Sequence, residues 1–181
     1  MNETVFCKNQ SRFTLRELRN SDANALADFF IGLSESTRSR FGPHPLTSKY
    51  ADHLCQRQAD DGVTRFVVES DKNIIGYFIL NFGLVDHEVE RYASYGIALQ
   101  QSIDPLFAPC IADNYQNSGI SSAVMNNLIE YVRQKKSRSL VLLGGTQESN
   151  ELGIAFYHKW GFKECGRYFH RCNNIDMRLL L

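Results

Sequence analysis

The chain has 181 residues, 43% of them hydrophobic, and its 20 Lys plus Arg balance its 20 Asp plus Glu. That length and apolar fraction suit a single domain over 1–181 with a sizeable core, and a net charge of zero excludes recognition of nucleic acid or an anionic membrane through bulk charge. No apolar stretch is long enough to span a bilayer, and Met1-Asn2-Glu3-Thr4 lacks the basic segment and apolar run of a signal peptide. The five cysteines (Cys7, Cys55, Cys110, Cys165 and Cys172) are odd in number and form no C-x-x-C pair. This argues against a disulfide framework or a zinc site, so no metal is expected, and it fits a reducing cytoplasm.

Arg12 to Leu18 alternates apolar and polar residues, the period of a half-buried strand. Asn20-Ser21-Asp22 supplies helix-capping residues, and Ala25, Leu26, Phe29, Phe30 and Leu33 recur at helical spacing, predicting a helix over 22–34. Ser36–Pro45 reads as a loop containing a helical turn. A second helix runs from a Thr47 cap to about Ala59, where Asp60-Asp61-Gly62 ends it. Thr64–Glu69 and Ile74–Phe82 are strands joined by the tight turn Asp71-Lys72-Asn73, a hairpin. Residues 84–104 have no clean period and are assigned a short helix.

Leu106–Ala112 is an apolar strand containing Pro109. The polar turn Asp113–Gly119 follows, then a helix to about Lys136 with Ile120, Val124, Leu128 and Val132 on one stripe. Ser139–Leu143 is a short central strand. A helix over 150–160 ends at Gly161, which fits its C′ position. Glu164–Arg171 and Ile175–Leu181 are strands joined around Asn173-Asn174. The order describes a mixed α/β sheet with helices on both faces.

A helix start offers unpaired N–H groups and a positive dipole end, a natural seat for phosphate. Ile111-Ala112-Asp113-Asn114-Tyr115-Gln116-Asn117-Ser118-Gly119-Ile120-Ser121 is therefore the place to seek a cofactor. It resembles the acyl-CoA-binding motif Q/R-x-x-G-x-G/A of the GNAT N-acetyltransferase superfamily, with Ser121 in place of the usual Gly or Ala. Further on, Asn150-Glu151-Leu152-Gly153-Ile154-Ala155-Phe156-Tyr157, followed by Gly161-Phe162, resembles that family's second motif, an Asn leading to a Tyr seven residues later and then G-F. The order of elements is also similar over nearly the whole chain.

The resemblance implies one domain with an acyl-CoA-binding core over about 104–162 and a C-terminal hairpin over about 163–181. Its sheet would be mostly antiparallel, with about six to seven strands. It also implies a splay between the family's fourth and fifth strands, here Leu106–Ala112 and Ser139–Leu143, where pantetheine amides pair with backbone near Ile111, Ala112 and Asp113. Pro109, which removes a ladder hydrogen bond, fits such a place. Backbone amides from Gln116, Asn117, Ser118, Gly119, Ile120 and Ser121 would cradle the pyrophosphate of acetyl-CoA. Asn150 is implied as a contact to the cofactor arm and is equally a helix cap. Tyr157 is implied as the general acid that protonates the departing thiolate, and a backbone N–H near Ile111 as the oxyanion donor.

No Glu lies between Leu106 and Ala112, where some relatives place the general base. His44, His87, Glu88, Glu90, His170 or ordered water are the candidates. Acceptor selectivity is expected from Ser36–Pro45 and from 84–104. The expected activity is direct transfer from acetyl-CoA to a primary amine of a small molecule. The other readings are a non-catalytic acyl-CoA sensor, a ping-pong nucleophile at Cys110, which no neighbouring His activates, and a nucleotide-binding domain, for which no Gly-rich phosphate motif is present. The C-terminal hairpin is able to support a homodimer.

Overall fold

The structure, a computed structural model, describes residues 2–6, 12–56 and 61–181. In chain order its elements are β1 (Asn2–Phe6), β2 (Arg12–Glu17), α1 (Ala23–Gly32), α2 (Glu35–Arg40), α3 (Ser48–Gln56), β3 (Val63–Ser70), β4 (Asn73–Asn81) and α4 (Asp86–Ser94). β5 (Leu106–Ile111), α5 (Ile120–Gln134), β6 (Ser139–Leu142), β7 (Thr146–Gln147), α6 (Glu151–Lys159), β8 (Lys163–His170) and β9 (Cys172–Leu180) complete the chain. Short 3-10 turns occupy Asn20–Asp22 and Asp113–Tyr115.

The chain divides into two compact units. The first comprises 1–80 and 108–130. Its strands follow the order β1-β2-β3-β4-β5, with β1–β2 and β2–β3 antiparallel. Phe13 and Leu15 of β2 are buried by alternation. Arg16 breaks the alternation: it is buried because Asp22 and Glu69 hold its guanidinium, at 2.6 and 2.5 Å. Asp22 thus faces back to Arg16 and to the Arg19 N–H and does not cap α1, as its position suggested. β4 is buried on both faces, as its unbroken apolar run requires. α1 packs on α3 through Leu26, Phe29 and Phe30 at i, i+3 and i+4 spacing, with Ala51, Leu54 and Cys55 of α3 repeating the pattern.

The second unit comprises 81–107 and 131–181. β6 pairs parallel with the start of β5 and antiparallel with β9. The β5–β6 ladder contains Leu106↔Val141 and Phe107↔Leu142, closed by Leu143 N donating to Phe107 O at 2.9 Å. Pro109 lies past its end, where a missing N–H costs no bond to β6. β7 and β8 both pair with β9. Phe107 stacks on Phe162 at 6.4 Å between ring centres, and Tyr92, Leu99, Leu106 and Val141 form a second apolar cluster.

Two expectations are corrected. Nine strands occur among the described residues, not six or seven. The additions are β1, too short to show a period, and the two-residue β7. The C-terminal hairpin turns at Arg171 (φ 60°), not at Asn173-Asn174. Asn174 sits inside β9 and braces the turn by donating to His170 O (3.3 Å) and Cys172 O (2.7 Å). The assigned end of the second helix falls on 57–60, outside the described residues, as does Cys7.

Candidate active site

In the first unit, β5 leads through the 3-10 turn into a loop at 116–119 and then α5. Ala112 N donates to Ile75 O at 3.0 Å, which pins the end of the strand. Gly76 lets Ile111 approach, since a Cβ there would stand 2.8 Å from Ile111 Cδ1. Asn117 (φ 58°) and Gly119 (φ 90°) both take left-handed backbone. Open space surrounds Gly119, so its backbone conformation, and not crowding, calls for glycine. Gln116 N and Ser118 N donate within the turn, to Asp113 O (3.2 Å) and Tyr115 O (3.4 Å). The first N–H groups of α5, from Ile120 and Ser121, find no carbonyl inside the helix.

Asp113 and Gln116 turn their side chains to the start of α2. The Asp113 carboxylate accepts from Ser34 N (2.8 Å), Ser34 Oγ (2.6 Å) and Thr37 Oγ1 (2.7 Å). Partial burial opposes its ionisation, but these bonds outweigh burial and hold the carboxyl below the usual range. Gln116 Nε2 donates to Thr37 Oγ1 (3.0 Å) and Ile111 O (3.3 Å). Neither Ser34 nor Thr37 belongs to a motif in the sequence. Their one local signal is the Ser34-x-x-Thr37 capping spacing, in which Ser34 Oγ accepts from Thr37 N at 3.2 Å.

His44 is half-buried among Phe30, Phe41, Tyr50 and Tyr77. Its Nδ1 lies 3.0 Å from Pro45 O, which can only accept, so that nitrogen carries the proton and Nε2 accepts from Tyr77 OH at 3.2 Å. Burial lowers its pKa to about 4. Its lone pair is already engaged, which argues against a general-base role. Cys110 is buried, and burial first, then Asp113, pushes its thiol up to about 12. A thiolate nucleophile there is disfavoured.

In the second unit, Asn150 caps α6: Oδ1 accepts from Gly153 N (3.3 Å) and Nδ2 donates to Thr146 Oγ1 (3.1 Å). The capping half of the expectation for Asn150 is therefore observed. Tyr157, 8% exposed, packs its ring against Phe156 and Phe162. Glu88 is fully buried, with Oε2 on Arg91 Nη2 (2.5 Å) and Oε1 accepting from Gly144 N (3.0 Å). Both oxygens are committed to structure, which also argues against Glu88 as a base. Arg91 reaches Asp176 as well, at 2.6 and 3.0 Å, and lies 3.9 Å over the Tyr168 ring. Burial alone would lower the Arg91 pKa, but the bonds to Asp176 and Glu88 raise it. His87, Glu90 and His170 are exposed.

The fold class is a mixed α/β domain built on an open, mostly antiparallel sheet in which β5, paired parallel with β6, leads into a glycine turn and a helix start. The model of the acetyltransferase (GNAT) family matches residues 30–162, and the chain belongs to that family. It is similar to the GNAT domain of S. lividans PAT, with a TM-score of 0.79 at 15% identity, covering 99% of this chain and 97% of that one. A chimera of Vibrio cholerae spermidine N-acetyltransferase SpeG and hSSAT matches with a TM-score of 0.69 at 20% identity, covering 94% and 96%. The ribosomal-protein-S5-alanine acetyltransferase of Vibrio fischeri matches with a TM-score of 0.70 at 16% identity, covering 93% and 92%. Among the described residues, no helix is long and apolar enough to cross a membrane.

Proposed function

We propose that this chain moves an acetyl group from acetyl-CoA directly to a primary amine of a small molecule in the cytoplasm. The observation that carries the reading is the strand–turn–helix at 111–121 in a chain of the GNAT family. Its left-handed Asn117 and Gly119, with open space at Gly119, suit the close approach of a pyrophosphate to backbone. Because Gln116 N is engaged within the turn, the cradle falls mainly to N–H groups of Asn117, Gly119, Ile120 and Ser121. The bound cosubstrate supplies a thioester, an activated acyl group with a thiol leaving group. Backbone near Ile111, Ala112 and Asp113 orients its pantetheine amides, and Tyr157, on the helix that Asn150 caps, is the general acid that the resemblance to the family's second motif implies.

Tyr157 donates its phenolic proton to the leaving sulfur. With both Glu88 oxygens and the His44 lone pair engaged, the amine's proton is left to water or to one of the exposed groups His87, Glu90 and His170. A small-molecule amine is proposed because the chain resembles a spermidine N-acetyltransferase, and a protein amine is the competing acceptor because it also resembles a ribosomal-protein acetyltransferase.

The test is free-thiol release from acetyl-CoA across a panel of amines and peptide N-termini. Release is expected with at least one small amine, and Tyr157→Phe should lower turnover about 100-fold with little change in KM for acetyl-CoA. Unchanged turnover would remove Tyr157 from the role. CoA binding without release on any acceptor would favour the second reading, an acyl-CoA sensor. That reading draws on β5, which carries no carboxylate from Leu106 to Ile111.

A further inference from the structure

The turn at 116–119 is joined to α2 by a directed chain of side chains that the turn itself does not require. A hydroxyl has one proton. Thr37 gives its proton to the Asp113 carboxylate at 2.7 Å and therefore offers only lone pairs to Gln116 Nε2 at 3.0 Å. The second acceptor of that nitrogen is Ile111 O, at 3.3 Å. Two acceptors fix which end of the Gln116 amide faces inward. Ser34 likewise spends its proton on Asp113, at 2.6 Å, and its N–H points to the same carboxylate at 2.8 Å. The far end of the α2 segment is clamped separately: Arg38 donates to Phe30 O (2.6 Å) and Leu46 O (2.8 Å). Residues 34–46 are thus held by Arg38 at one end and by Asp113 at the other.

We propose that Asp113 and Thr37 are positioning residues that couple occupancy of the turn at 116–119 to the placement of the α2 segment. The inference rests on the reading of that turn as the donor cradle. Neither side chain faces the cradle in this scheme. They act through Gln116, which they orient, and through Ser34, which starts α2. Coupling is reciprocal: if an intact relay favours donor binding, donor binding must favour the intact relay by the same factor.

The experiment uses the full chain and CoA as probe. Wild type should bind CoA by calorimetry, and hydrogen exchange at the Ser34 and Thr37 amides should slow on binding. Thr37→Val removes the relay oxygen at nearly constant shape and should weaken CoA about five- to tenfold, the value of one ordinary net hydrogen bond. Thr37→Ser keeps the oxygen and should bind as wild type does. Asp113→Asn should weaken binding similarly, and the double variant Asp113→Asn/Thr37→Val should be no weaker than either single change, because both break one device. Additive losses, or unchanged exchange at Ser34 and Thr37 in CoA-bound wild type, would overturn the coupling. Should Thr37→Val fail to fold, the wild-type exchange measurement decides alone. Wild type that does not bind CoA defeats the donor reading itself, and this inference with it.

Discussion

Among the described residues, left-handed backbone clusters at the Asp71-Lys72 hairpin turn and at two glycine-bearing turns, and those two differ in why they need glycine. At Asn117 and Gly119 the chain turns into a helix start, and a Cβ on Gly119 would meet nothing within 4 Å. At Gly144 (φ 76°) and Gly145 (φ 64°) the chain steps between β6 and β7, and a Cβ on Gly145 would lie 2.7 Å from Ile175 O. The second turn is also tied from both sides. Glu88 takes the Gly144 N–H, and Tyr168 donates to the Gly144 carbonyl at 2.5 Å. A crowded, doubly bonded glycine step is a fixture of the fold. The open one at Gly119, beside a helix start, leaves room for a ligand.

Substitutions at the two turns should have effects of different size and kind. Arg91→Met should cost about 4 kcal/mol, because it leaves Glu88 and Asp176 buried without their cation. Chemical denaturation would read the loss, and a cost below about 1 kcal/mol would mean that the triad does not hold the step. Gly145→Ala should cost about 3 kcal/mol, combining left-handed strain with a backbone clash. Its thermal midpoint should fall well below that of Gly119→Ala. The latter carries the strain alone, about 1–2 kcal/mol, yet should weaken CoA binding more than tenfold by moving the cradle. If Gly119→Ala binds CoA normally, the open turn is not the donor seat. Tyr168→Phe is the mildest change, about 1 kcal/mol for one hydrogen bond, with CoA affinity as in wild type.

What was legible in the sequence was whatever repeats locally. The stripe Ile120, Val124, Leu128 and Val132 is buried as its period demands. Asn150 and Gly161 occupy the cap positions that their residue types predict. The 84–104 stretch gave no clean period because α4 buries Glu88 beside Tyr92 at i+4 spacing. A charge on a buried helix face looks like noise until Arg91 is seen to pair with both Glu88 and Asp176, the latter 85 residues away. Asn173-Asn174 is a strong turn signal that acts from inside a strand. The relay at Ser34, Thr37, Asp113 and Gln116 joins residues 76 and 79 positions apart, and no local pattern announces it.

Arg38 has a consequence for how the chain breaks. One guanidinium bridges the carbonyls of Phe30 and Leu46 and closes the intervening stretch into a ring. A protease that cut inside this ring, at exposed Gly42 for instance, would sever the covalent path but leave both new ends tethered to the same side chain. Nicked molecules should therefore migrate as one species under native conditions and separate into two fragments only after denaturation. Arg38→Ala should let the new ends fray and expose further cleavage sites toward α1.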